Sequence, residues 1–151
     1  MKTAYFSLGC FWSPQLEFEK IKGVKKAEVG YCGGNDPNTT YEKVCSGSTN
    51  HAETIKVEFD ENEISYEELV RFFFKIHDPT QLNRQGPDIG TQYRSEIFYN
   101  TDEEKKIAEK VLNEVNKKLN GKVSTKISKE KNYCKAEGYH QKYEQKKSLK
   151  Y

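Results

Sequence analysis

Long apolar runs are absent from this chain. None approaches the roughly 18 consecutive apolar residues of a membrane-spanning helix, and hydrophobic residues are only 34% of the 151. The opening Met1-Lys2-Thr3-Ala4-Tyr5-Phe6-Ser7-Leu8-Gly9-Cys10 has too short an apolar stretch for an export signal, and Leu8 stands one place too close to Cys10 for a lipidation box. The expected compartment is therefore the cytoplasm. Excess charge is also lacking: 25 Lys and Arg against 23 Asp and Glu leave a net +2, which points to neither nucleic acid nor membrane. Eleven Lys against three Glu between Lys117 and Tyr151 make the end of the chain basic. Such a basic end suits an acidic partner; with no Arg–aromatic interleaving there, a solvated helical surface and end segment is the favoured reading. The four cysteines, Cys10, Cys32, Cys45 and Cys134, form no C-x-x-C pair, which speaks against structural zinc. In a chain without an export signal they are expected as reduced thiols. No internal repeat or linker interrupts the sequence, so residues 1–151 are expected to form one domain.

What is present is aromatic. Ten Tyr, eight Phe and a single Trp give 13% aromatic residues, so the core must be built from few, large side chains. Strands are expected at Thr3 to Leu8, Val24 to Tyr31, Thr54 to Phe59, Ser95 to Tyr99 and near Val123 to Ile127, from their alternation and β-forming content. Ser13-Pro14 is expected to open a helix ended by Lys22-Gly23. Ser65 with the first-turn acids Glu67 and Glu68 opens another, running through Leu69 to His77. Ile107, Val111, Leu112, Val115 and Leu119 mark an amphipathic helix over Asp102 to Leu119. A short helical piece around Tyr41 to Cys45 and a C-terminal helix near His140 to Lys146 complete the set. Asp78 to Gln92, with Pro79, Gly86, Pro87 and Gly90, reads as a long functional loop. The order β-α-β-β-α-β through Tyr99 implies an α+β fold, a ferredoxin-like split β-α-β core with C-terminal helical and strand additions.

Ser7-Leu8-Gly9-Cys10-Phe11-Trp12 places a cysteine at a strand-to-helix junction beside two aromatics. Backbone N–H groups at such a junction stabilise a thiolate, and the aromatics would wall a site for a soft apolar group. A buried, inert cysteine in an aromatic core fits the same residues. Glu53 shares the face of Ile55, Val57 and Phe59 at the start of an alternating strand. Turned inward, its carboxyl would have a raised pKa and could act as a general acid; at a frayed edge it would be solvated. His51, His77 and His140 each stand alone, and His51 with Glu53 lacks a third regularly spaced metal ligand.

Gly9-Cys10-Phe11-Trp12 resembles the signature of the A-type peptide methionine sulfoxide reductases. Further matches to that family are Gly30-Tyr31-Cys32-Gly33-Gly34, Thr40 to Gly47, His51-Ala52-Glu53, His77 to Gln81, Gln85 to Ser95, Ala136-Glu137 and Tyr139-His140-Gln141. The resemblance spans about residues 3 to 143, in the family's order. It implies thiol-dependent reduction of methionine S-sulfoxide, free or in oxidised proteins, to methionine. By resemblance Cys10 attacks the sulfoxide sulfur and Glu53 protonates the oxygen. Tyr41 and Tyr93 donate hydrogen bonds to that oxygen. Phe11 and Trp12 form the pocket for the substrate methyl group, and Asp88 is a further acid that orders the site. No bound cofactor or metal is implied. The Cys10 sulfenic acid left behind must be reduced by an external thiol, from thioredoxin or from glutaredoxin with glutathione.

The chain departs from many relatives in lacking a cysteine in its terminal Gln145 to Tyr151. Cys32 and Cys134 are the candidate resolving thiols, and a one-Cys cycle with direct attack by an external thiol is the preferred alternative. Cys45 is expected to be buried. Ser13-Pro14-Gln15 replaces the usual Gly-Ala-Glu, so local packing there should differ. Asn50 stands where Gly is common, and Asn tolerates positive φ. A cysteine at position 10 does not exclude selenocysteine in the natural chain. Two rival readings remain: a Cys–His hydrolase using His77 or His140, and a peptide-binding module that has lost its chemistry. A monomer is expected.

Overall fold

The computed structural model describes residues 2–46 and 49–138, except for the side chains of residues 12 and 13. The expected C-terminal helix near His140 to Lys146 lies outside the described residues, as do Gly47 and the Tyr139-His140-Gln141 match. Strands are β1 (Lys2–Leu8), β2 (Val24–Cys32), β3 (Ala52–Phe59), β4 (Arg84–Gln85), β5 (Asp88–Ile89), β6 (Ser95–Tyr99), β7 (Lys126–Lys129) and β8 (Cys134–Lys135). Helices are α1 (Trp12–Glu19), α2 (Tyr41–Cys45), α3 (Tyr66–Lys75) and α4 (Asp102–Lys118). The main sheet runs β7-β6-β1-β3-β2-β8, and only the β6–β7 pair is parallel. Its central four strands, β6-β1-β3-β2, with α1 and α3 as crossovers, form the split β-α-β arrangement expected from the sequence. No helix among the described residues is long and apolar enough to cross a membrane.

Helix starts follow local chemistry with one exception. Ser65 and Glu68 form a reciprocal capping box at α3, and Thr101 and Thr40 cap α4 and α2. For α1 the expected cap at Ser13 is wrong: the helix already begins at Trp12, with Phe11 at the cap position and no side-chain cap. Pro14 is tolerated because the first four N–H groups of a helix lack partners anyway. The helix also stops at Glu19, before the expected Lys22-Gly23. The long segment 78–92 is not pure loop. It folds into the two-residue β4–β5 ladder and a 3₁₀ turn over Thr91–Tyr93.

The core is aromatic. Phe6 of β1 stacks on Phe18 of α1 at 5.2 Å and on Phe73 of α3 at 5.5 Å, so both helices cover one face of the sheet. On the opposite face Tyr133 packs on Tyr5 at 5.2 Å and donates to Glu28. Phe73, fully buried, also meets Phe74 and His77. Phe73→Ala is expected to cost about 3–5 kcal/mol, transfer and cavity terms together, read as a lower urea midpoint with an unchanged slope.

Four chain ends meet at one end of the sheet. The exits of β1 and β2 and the entries of β3 and β6 lie together, since Leu8 pairs with Ser95 and Tyr31 with Glu53. Cys10 follows the first and Tyr93 precedes the last.

Candidate active site

Cys10 sits in the turn between β1 and α1, half-buried and in no disulfide. Gly9 makes that turn at φ +100°, and a Cβ on it would lie 2.7 Å from Cβ of Gln85. The Gln85 amide clamps Asp78 in both directions: Asp78 N–H donates to Oε1 at 3.0 Å and Nε2 donates to the Asp78 carbonyl at 2.9 Å. Gln85 pairs with Asp88 in the β4–β5 ladder. Cys10, Gln85, Asp88, His77 and Pro14 line one open cavity of about 200 Å³. A larger cavity of about 520 Å³ lies at the starts of α3 and α4, away from any thiol. Most of its acids are already engaged, Glu61 by Lys2, Glu67 by Arg71 and Lys110, Glu68 by Ser65.

Glu53 is buried, 1% exposed. Its Oε1 accepts the Phe11 N–H at 3.3 Å, while Oε2 has no partner among the described residues. Burial pushes the carboxyl up to about 8; the Phe11 N–H opposes this and the charge of Asp88 reinforces it. The group therefore carries a proton at neutral pH and has an oxygen free to use it.

Two phenols share this neighbourhood. Burial raises Tyr41 above the ordinary phenol value, aided by its hydrogen bond to the Cys45 thiol and by the charges of Glu53 and Tyr93. Tyr93 is pushed up to about 12 by burial, then by Glu53, Cys45, Asp88 and Cys10. Both remain O–H donors at neutral pH. The structure thus brings Cys10, Glu53, Tyr41, Tyr93 and Asp88 to one place from five separate segments. Phe11 is fully buried with its ring 5.8 Å from Tyr31. The Trp12 side chain lies outside the described residues. Cys45, expected buried, is exposed, because Val44 takes the inward position of the short α2.

Neither described histidine is available to pair with Cys10. His77 lines the cavity, but its Nδ1–H donates to the Phe73 carbonyl at 2.6 Å and its Nε2 accepts from Ser95 Oγ at 2.8 Å. The carbonyl, which can only accept, assigns this tautomer. In His51 the assignment is reversed: Nδ1 accepts the Gly34 N–H and Nε2 donates to the Asp36 carbonyl. His140 lies outside the described residues. Burial holds His77 at about 4, against an ordinary 6.5, with Asp78 and the Phe73 carbonyl opposing. Below pH 6.5 the unfolded chain gains a proton that the folded one refuses. Stability should therefore fall between about pH 6.5 and 4, by up to about 1.4 kcal/mol per pH unit. Urea midpoints of His77→Gln should lose that part of the slope.

Among the described residues no three His, Cys, Asp or Glu side chains stand close enough to hold a metal ion. Cys32 is fully buried, donates to the Lys131 carbonyl, and is pushed up to about 12, chiefly by burial. Cys134 is half-buried, its thiol 2.9 Å from the Pro37 carbonyl. Of the departures, Asn50 takes φ +59° as its residue type allows. Gln15 is buried and donates to the Ala27 carbonyl at 2.8 Å, a bond an ionised glutamate could not donate.

Comparison with known proteins accords with this geometry. The family model described as peptide methionine sulfoxide reductase matches residues 2–151. The chain belongs to this family. It is 58% identical over 147 residues to the peptide methionine sulfoxide reductase MsrA of Pelagibacter ubique, covering 97% of this chain and 100% of the relative. It is 50% identical to the MsrA of Nautilia profundicola, over 95% of this chain and 82% of that one. Among solved structures it superposes on reduced Mxr1 of Saccharomyces cerevisiae with a TM-score of 0.92 at 38% identity, covering 99% and 87% of the two chains. For methionine sulfoxide reductase A of Corynebacterium diphtheriae the values are 0.88 and 35%, covering 99% and 76%. Mxr1 in complex with Trx2 matches at 0.68 and 26%, covering 94% and 84%.

Sequence reasoning missed the supports of this family site. Arg94 donates to Glu96 at 2.7 Å in a buried pair, and also to the carbonyls of Thr91 and Asn50, holding the turn that carries Tyr93. Two opposite charges two apart at a strand start are a weak local signal of this. Gln85 had none.

Proposed function

We infer that the chain reduces methionine S-sulfoxide to methionine at the expense of thiols, with Cys10 as nucleophile and Glu53 as acid. The observation that carries the residue roles is a buried Glu53, its carboxyl pushed up to about 8 by burial, with Oε1 held by the N–H of Phe11, the residue after Cys10, and Oε2 unpartnered among the described residues. The Cys10 sulfur attacks the sulfoxide sulfur while Glu53 gives its proton to the oxygen. Tyr41 and Tyr93 hold that oxygen as charge develops on it. The hydroxyl then passes from the substrate sulfur to the Cys10 sulfur as the newly formed S–S bond breaks. Methionine departs, Cys10 is left as a sulfenic acid, and the proton given up by the Cys10 thiol restores Glu53. Phe11 and Trp12 supply the apolar neighbourhood for the methyl group.

An incoming thiol then attacks the Cys10 sulfenic sulfur, releasing water and forming a mixed disulfide that a second thiol reduces. The burial and raised pKa of Cys32 support direct attack by an external thiol over internal resolution by Cys32. The Mxr1–Trx2 complex makes a thioredoxin the first reductant to test, with glutaredoxin and glutathione second.

The test is racemic methionine sulfoxide with dithiothreitol, followed by chiral chromatography. Loss of the S epimer alone is expected; loss of neither would give the scaffold to a binding function. Disulfide mapping after one turnover without reductant should find no internal bridge, and a high yield of Cys10–Cys32 or Cys10–Cys134 would overturn the one-Cys cycle.

A further inference from the structure

Glu137 follows β8 and reaches two parts of the site that are distant in sequence. The Tyr31 hydroxyl donates to its Oε1 at 3.1 Å, and the Tyr41 N–H donates to its Oε2 at 3.1 Å. Tyr31 stands opposite Glu53 in the β2–β3 ladder and opposite Cys134 in the β2–β8 ladder. Its ring packs on Phe11, whose N–H holds Glu53. Tyr41 is the first residue of α2. One carboxylate therefore links the base of the proton donor to the segment that presents a phenol beside it.

The strap bearing Glu137 is anchored independently. Ala136 N–H donates to the Val29 carbonyl at 3.0 Å, Gly33 N–H to the Lys131 carbonyl at 2.9 Å, and Asn132 Nδ2 to the Gly34 carbonyl at 3.0 Å. By contrast α2 is five residues long, with Val44 as its buried residue. So short a helix has little packing of its own to set where its first side chain points.

We propose that Glu137 is a positioning residue, fixing the Tyr41 phenol over the oxygen site by clamping the start of α2 to Tyr31. This rests on the reading of Tyr41 as an oxygen-binding donor. A misplacement of about 1 Å in such a group can cost about 100-fold in rate, so the clamp acts on kcat more than on KM.

The experiment measures kcat and KM with dithiothreitol for Y41F, E137A, E137Q and E137A/Y41F. Y41F should lower kcat about 100-fold, as for loss of one oxyanion donor. E137A should lower kcat about 10- to 100-fold with KM little changed. E137Q keeps an acceptor oxygen and should recover most of that loss. The double variant should be no slower than Y41F alone. A full-rate E137A, or a double variant slowed by the product of the two single effects, overturns the clamp. A full-rate Y41F instead removes the oxygen-binding reading beneath it. Should E137A fail to fold, Tyr31→Phe removes the other end of the clamp and takes its place in the same cycle, judged by the same rule.

Discussion

Cys10→Ser is expected to slow methionine sulfoxide reduction by about 10⁴-fold or more, the scale on which enzymes lose rate with their nucleophile. Two physical reasons act together. A serine hydroxyl at the same turn stays protonated at neutral pH and is a poor nucleophile toward sulfur. Even after attack, the oxygen would have to rest on serine as a peroxide-like product, far less stable than a sulfenic acid. Single-turnover assays without reductant separate this from a recycling defect: the parent should release one equivalent of methionine and the variant none. One equivalent from the variant would move the nucleophile to another thiol. Cys45, exposed and hydrogen-bonded to Tyr41, would then be the next to replace.

Glu53→Gln is expected to lower kcat by about 10²- to 10⁴-fold, the usual worth of a general acid. An ordinary glutamate is protonated in about one molecule in 500 at pH 7. Held at about 8, Glu53 is protonated in about nine of ten. Activity of the parent should therefore fall as pH rises through about 8, because the acid loses its proton, and the residual activity of the Gln variant should lack that limb. The substitution itself should act on stability in the opposite sense to its effect on rate. A raised carboxyl pKa means that folding holds a proton the unfolded chain gives up above about 4.3. The parent is penalised progressively from about pH 4.3 to 8, and Gln, always neutral, escapes the penalty. A variant that is more stable yet much slower at pH 7 would fit an acid kept neutral for catalysis. An unchanged alkaline limb would assign that limb to another group.

Much of the frame was legible because its causes are local. Alternation at Ile55, Val57 and Phe59, the Ser65–Glu68 capping box and the 3.6-residue spacing from Ile107 to Leu119 each lie within a few residues of what they specify. The α1 start was misread because Ser-Pro is a good local signal, and nothing near it reveals that Phe11 is needed at the cap with its N–H turned to Glu53. The β4–β5 ladder escaped notice because two-residue strands have no periodicity to show. Cys45 was misplaced because a five-residue helix can turn either of two neighbouring residues inward, and Val44 was the one chosen.

By itself the sequence determined the order of the longer strands and helices, the aromatic core, a thiol at a strand-to-helix turn and an acid on an apolar strand face. Its motif resemblance added the chemistry and the two tyrosines. Only the tertiary structure decided that Glu53 is shut away from water with one oxygen unpartnered, since burial depends on segments far along the chain. Only it removed His77 and His51 from catalysis, by binding both nitrogens of each ring. The Glu137 contacts, 106 and 96 residues away from their partners, likewise exist only after the sheet has brought β2, α2 and β8 together. Spacing along a chain constrains neighbours within a few residues; contacts across a hundred are set by strand order and register.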